Sequence, residues 1–155
     1  MKIAKLAQIT EIISGFAVLI TLIFLYIEVR ENSAVIRASS YGQSTTMIND
    51  WRYQGANSPE LTRLFRMFIN GEANTFNEIE GQQFSFYIGG LWGVYESSYY
   101  AREYGILGEQ EWGRFKDQAC IQYQVGLPQG FWPRMKNLVS EEFYTYIESE
   151  CATGT

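Results

Sequence analysis

The sequence predicts an all-α protein: an N-terminal transmembrane helix that continues into a compact helical bundle of about five further helices. An uncharged apolar run, IISGFAVLITLIFLYI, occupies residues 12–27. Beyond it, apolar residues recur at helical spacing between recognisable start and stop signals. No stretch reads as a strand, and no internal repeat or low-complexity linker interrupts the pattern.

The apolar run comes first. Sixteen residues of helix span about 24 Å, slightly short of the roughly 30 Å hydrocarbon core of a bilayer. Ile9 and Val29 extend the apolar stretch, Glu11 and Glu28 bracket it, and Tyr26 fits the headgroup level where interfacial aromatics sit. Two other readings stay open. A secretory signal peptide suits Lys2 and Lys5, but the apolar region is long and no A-x-A site follows. A buried core helix of a soluble oligomer has the same composition. Lys2, Lys5 and the amino terminus flank one end of the run, and Arg30, Arg37 and Arg52 the other, so the positive charges nearly balance. The expected location is a bacterial inner membrane, single-pass, with the C-terminal domain placed in the cytoplasm. Residues 1–29 are expected to form the anchor, 30–150 the helical domain and 151–155 a disordered tail.

No breaker follows the run, so its helix is expected to continue to about Tyr53, with Gly55 and Asn57 as the stop. Ala34, Ala38 and Gly42 recur every four residues and form a narrow smooth strip. Ser58-Pro59-Glu60 starts the next helix: a capping hydroxyl, a proline suited to the first turn and an acid at the positive end of the dipole. Leu61, Leu64, Phe65, Phe68 and Ile69 supply its apolar face, and Asn70-Gly71 its end.

Asn77 with Glu80 three residues on reads as a capping box that opens a long helix over about 78–104. Gly81, Gly89, Gly90 and Gly93 interrupt it, each costing up to about 1 kcal/mol against Ala. Ser85, Gly89, Gly93, Ser97 and Ala101 fall at every fourth position and line up as one small-residue ridge on which another helix can dock closely. Gly105 suits a left-handed C-terminal stop. Gly108 with Glu109 and Glu111 opens a further helix to about Val125. Pro and Gly residues then confine any helix to a short piece around 131–137, and Ser140 caps a last helix with Phe143, Tyr144 and Ile147 on its apolar face.

The segments LYIEVRENSAVIRASSYGQS, SPELTRLF and YESSYYAREYGILGEQEW, taken with the apolar run, resemble a family of uncharacterised bacterial proteins with one N-terminal membrane helix and a small helical domain. The resemblance covers roughly residues 9–150. Its motifs describe capping, packing and turns, and it implies no assigned activity and no catalytic residues. The glycine-rich middle of the long helix departs from the family pattern.

Composition narrows the chemistry. The 155-residue chain has no His, a net charge of −5 and no run of Lys or Arg. The absence of His removes the commonest neutral-pH acid/base group and metal ligand, and the acidic balance opposes nucleic-acid binding. No nucleophile elbow, P-loop, GxGxxG or metal-ligand spacing is present, so no catalytic, cofactor-binding or metal-ligating residue is assigned and an enzyme is disfavoured. Cys120 and Cys151 form no CxxC pair and are read as two ordinary thiols, the alternative being one disulfide in an oxidising compartment.

Trp92, Tyr95, Glu96 and Tyr99 are the candidate ligand-pocket residues, because a carboxylate among aromatic neighbours at helical spacing is partly desolvated. The competing reading of Glu96 is a core carboxylate pinned to an arginine such as Arg37, Arg63, Arg66 or Arg102. The expected function is that of a membrane-anchored interaction or assembly protein. Its partners would be membrane lipid and either further copies of itself or another membrane protein. The alternatives are a small-molecule-binding or sensing module around Trp92 and Glu96, and an oligomeric channel-like assembly, for which the run offers only Thr10, Ser14 and Thr21 as polar lining.

Overall fold

The computed structural model describes the backbone of residues 2–152 and the side chains of Glu11 and residues 13–152. The expectations placed on the side chains of Lys2, Lys5, Ile9, Thr10 and Ile12, and on residues 153–155, lie outside the described residues. The described residues are helical with no strand, and the chain forms two compact units, 1–38 and 39–155.

The first helix, α1, runs Lys2–Asn57 and contributes to both units. In the first unit, every described residue from 11 through 32 is exposed. Leu19, Leu22, Phe24 and Leu25 each leave more than half of their surface uncovered. Phe16 and Tyr26 do the same on other sides, so the apolar surface goes round the helix instead of forming one stripe. Two hydroxyls in this stretch are satisfied within the helix. Thr21 Oγ1 donates to Ala17 O at 2.9 Å, and Ser33 Oγ to Val29 O at 2.8 Å.

The second unit comprises the end of α1 and five further helices: α2 (Pro59–Ile69), α3 (Glu78–Glu103), α4 (Glu109–Gly126), α5 (Trp132–Met135) and α6 (Glu141–Cys151). Two 3-10 turns, Ala73–Thr75 and Leu127–Gln129, join them. The caps are those that local chemistry demands. Ser58 Oγ accepts from Leu61 N, and Pro59 fits the first turn of α2. Asn77 and Glu80 close a reciprocal box at the start of α3, each side chain accepting from the other's backbone N–H at 2.9 Å. Gly71 and Gly105, at φ 81° and 67°, end α2 and α3 in left-handed turns. Glu72 N donates to Met67 O and Ile106 N to Ala101 O, which satisfies carbonyls the helix ends leave open.

Gly55 has a different role from the stop expected of it. α1 runs through it to Asn57, and the glycine is buried. A Cβ there would collide with the Tyr87 hydroxyl. Tyr87 in turn stacks on Trp51 at 4.5 Å, and Trp51 Nε1 donates to Tyr87 O at 2.8 Å. The missing side chain is therefore clearance for a ring that locks α1 to α3.

α3 is the spine of the bundle. Its buried face presents Phe84, Ile88, Leu91, Trp92, Tyr95 and Tyr99 at three- and four-residue steps. Phe68 from α2 meets Phe84 at 5.1 Å, and Trp132 from α5 meets Trp92 at 4.7 Å. Tyr144 from α6 stacks on Trp132, also at 4.7 Å. The short helix α5 thus carries one large ring into the centre between α3 and α6.

Candidate functional site

The four pocket residues expected from sequence separate into different environments. Trp92 and Tyr99 are packed inside the ring cluster, with Phe143 6.3 Å from Trp92 and 5.4 Å from Tyr99. Tyr95 is equally buried but borders a cleft with Trp51, Arg52, Phe65 and Leu91. Burial pushes its hydroxyl well above the ordinary tyrosine range, against the opposing pull of Arg52, so it is neutral at physiological pH. Glu96 points to the start of α6, where its Oε1 accepts from Ser140 N at 2.7 Å.

That contact explains Glu96 without an arginine. Ser140 is the N-cap of α6: its Oγ accepts from Phe143 N and lies 2.9 Å from Tyr100 Oη. Glu96 satisfies the one backbone donor of the cap residue itself, and so ties α3 to the positive end of α6. Glu142 adds to the junction by accepting from Tyr99 Oη at 3.5 Å and Tyr100 Oη at 3.3 Å. Arg63 is committed to Glu60 and Glu80, and Arg102 to Glu103 and Glu109.

Arg102 occupies an aromatic nest that sequence reading missed. Its guanidinium lies 5.4 Å from the Tyr99 ring, 5.8 Å from Trp112 and 5.1 Å from Tyr146. Tyr99 is three residues earlier on the same helix, which is legible at helical spacing. Trp112 and Tyr146 arrive from α4 and α6, and nothing local announces them.

The small-residue ridge of α3 is half-buried at Ser85, Gly89, Gly93 and Ala101 and exposed at Ser97. A Cβ at Gly89 would touch Leu138 at 3.6 Å, whereas one at Gly93 would meet nothing within 4 Å. Ser85 and Ala101 are partly exposed, and Ser97 is exposed with its hydroxyl turned back to Gly93 O at 2.8 Å. On α1, Ala34, Ala38 and Gly42 are all exposed. No helix among the described residues seats on Gly93.

The cysteines correct the reading of two ordinary thiols. Cys120 of α4 and Cys151 of α6 form a disulfide, with Cα atoms 5.0 Å apart. Cys151 is accordingly the buried last residue of α6 and not the first of a loose tail. The pairing is the less favoured of the two sequence readings because 31 residues separate the positions, and only the packing of α6 on α4 brings them together.

No known protein family, curated protein or solved structure matches this chain. The likeness to a bacterial family with a membrane helix rests on the sequence motifs alone, and the functional reading rests on the geometry.

Proposed function

We propose that this protein is a single-pass membrane protein whose disulfide-stapled bundle stands on the oxidising side of the membrane and assembles with further copies of itself. The observation that carries the anchor is the first unit: among the described residues one helix is long and apolar enough to cross a membrane, and its apolar residues from Ile13 to Val29 are exposed. The backbone polar groups of a helix are satisfied internally, which is the condition for standing in lipid.

The orientation is supported by Cys120–Cys151, because such bonds persist outside the reducing cytoplasm. This reverses the cytoplasmic placement drawn from the nearly balanced flanking charges. Self-association is supported by the partly exposed α3 ridge, since Gly93, with nothing within 4 Å of the place of a Cβ, permits close backbone approach.

The test is a pair of C-terminal fusions in a bacterial host, one to alkaline phosphatase and one to green fluorescent protein, with carbonate washing of the membranes. The reading expects phosphatase activity, a dark fluorescent fusion and retention in the washed pellet. Fluorescence without phosphatase activity contradicts the orientation, and release by carbonate contradicts the anchor. Cross-linking in detergent of Gly93→Leu against the parent chain tests the ridge: the variant is expected to lose the dimer band, and equal cross-linking removes the ridge as the contact.

A further inference from the structure

α3 carries large apolar side chains on its outer side as well as in the core. Ile79 is 69% exposed, Phe86 74%, and Tyr104, the C-cap of the helix, 75%. At helical pitch these three share one face with Gly90, Gly93 and Ser97, and no member of that face is charged. From Ile79 to Tyr104 the steps along it are seven, four, three, four and seven residues, so the spacing is the same from either end. Bulky members stand toward the ends and small ones in the middle. A Cβ at Gly90 or Gly93 would meet nothing within 4 Å.

The connection from α5 into α6 runs beside this face, in the same direction as α3. Arg134 borders a hollow with Gly81, Gln82 and Ser85. Leu138 reaches Gly89, Ser140 N donates to Glu96, and Glu142 accepts from Tyr100 Oη. Taken in order along α3, the connection presents Arg134 and Lys136, then Leu138, then Glu141 and Glu142, all exposed. One end is positive, the other negative, and an apolar side chain lies between.

A surface ordered in this way complements itself when reversed. A two-fold axis across the middle of α3 sets two copies antiparallel and gives both the same patch. Ile79 then meets Tyr104, Phe86 meets Ser97, and Gly90 meets Gly93. The glycines let the two backbones approach, and the exposed Phe86 ring lands on a small residue. Arg134 and Lys136 of one copy face Glu141 and Glu142 of the other, with the two Leu138 side chains near the axis. A parallel pair has none of this: Phe86 would meet Phe86, and the charged connections would lie on opposite edges.

We propose that α3 is the contact face of an antiparallel, two-fold homodimer flanked by ion pairs between the two 134–142 connections. This rests on the self-association proposed above and specifies its direction and register. The face lies wholly within the second unit.

The test co-expresses two full-length chains, one with Ile79→Cys and one with Tyr104→Cys, purifies them in a non-ionic detergent and treats them with a short bismaleimide. The native cysteines are bonded to each other and do not react. A parallel sample receives an amine-reactive cross-linker, which reports a dimer of any register. A 79–104 adduct is expected. None is expected between two Ile79→Cys chains, whose sites the antiparallel pair holds about 37 Å apart along the helix axis. Arg134→Glu with Lys136→Glu on both chains is expected to lower the adduct at least about fivefold at low salt, with unchanged circular dichroism. Placing Glu141→Lys and Glu142→Lys on the partner in place of the acidic changes is expected to restore it. An adduct between two Ile79→Cys chains, or an amine-linked dimer without the 79–104 adduct, would overturn the antiparallel pairing and leave self-association standing. No dimer with either reagent would overturn both. An adduct that the acidic substitutions leave unchanged would overturn the ion pairs.

Discussion

Residues 13–29 of α1 and the helix α3 are both helical, both rich in large apolar side chains and both interrupted by glycine, yet they treat those side chains in opposite ways. The first exposes every one of its residues, whereas α3 buries Phe84, Ile88, Leu91, Trp92, Val94, Tyr95 and Tyr99. The amount of apolar surface does not decide the outcome. In α3 the large residues recur at three and four steps, and Gln82, Gln83, Ser97 and Glu103 take the exposed side. In α1 the run has no polar side to turn to water, so no packing of one face can cover it. A helix of that kind needs apolar surroundings on all sides, a protein core or a membrane.

The contrast can be broken most directly by exchanging chemistry between the two helices. Trp92→Ala opens a cavity in a packed core and is expected to cost the bundle about 3–5 kcal/mol, read as a lower midpoint in denaturant. Leu19→Arg with Leu22→Arg should leave the bundle's near-UV circular dichroism unchanged. Each arginine costs about 2.5–3.5 kcal/mol in the middle of a membrane helix, so the chain is expected to leave the membrane pellet. If Leu19→Arg unfolds the bundle as Trp92→Ala does, the two regions share one solvent and the contrast fails.

A smaller effect sharpens the account of α3. Glu96→Ala strands Ser140 N at the start of α6, and a loss of about 1–3 kcal/mol is expected in the same denaturant measurement. Glu96→Gln keeps an acceptor and should recover most of it. Equal losses in the two variants would point to the charge and not the cap.

The smallest effect concerns the first turn of α3. Asn77→Ala removes half of the capping box and is expected to cost about 1 kcal/mol. Glu80 is held below the ordinary carboxylate range, first by the Asn77 backbone N–H and then by Arg63. A carboxylate depressed in the folded state stabilises fully above its unfolded pKa and loses that contribution as pH falls through the folded value. The thermal midpoint should therefore fall on the acid side, and Glu80→Gln should flatten that limb. An unchanged acid limb in Glu80→Gln would remove this carboxylate from the pH dependence.

What could be read from the sequence was local. Ser58, Asn77 with Glu80, Gly105 and Ser140 act within three or four residues of themselves, so their roles follow from spacing. The α3 face was legible for the same reason. Gly55 reads as a helix stop from sequence because its need for space comes from Tyr87, on another helix. The Cys120–Cys151 bond, the Arg102 nest and the cleft beside Tyr95 each depend on how α4 or α6 meets the rest. Sequence periodicity says which face of a helix turns inward, but not which residue of the neighbouring helix it finds there.

The central claim is that a bundle stapled in an oxidising compartment hangs from a lipid-solvated helix, and the thiol state in cells tests it most directly. Cells are quenched in acid, the membrane fraction is treated with a maleimide-polyethylene glycol, and the mass of the chain is read with and without prior reduction. The account predicts a membrane-bound chain that is unmodified until reduced and then gains two adducts, with a loss of about 3–4 kcal/mol in bundle stability for the 31-residue separation released. Two adducts without reduction, on a chain as stable as before, would contradict it.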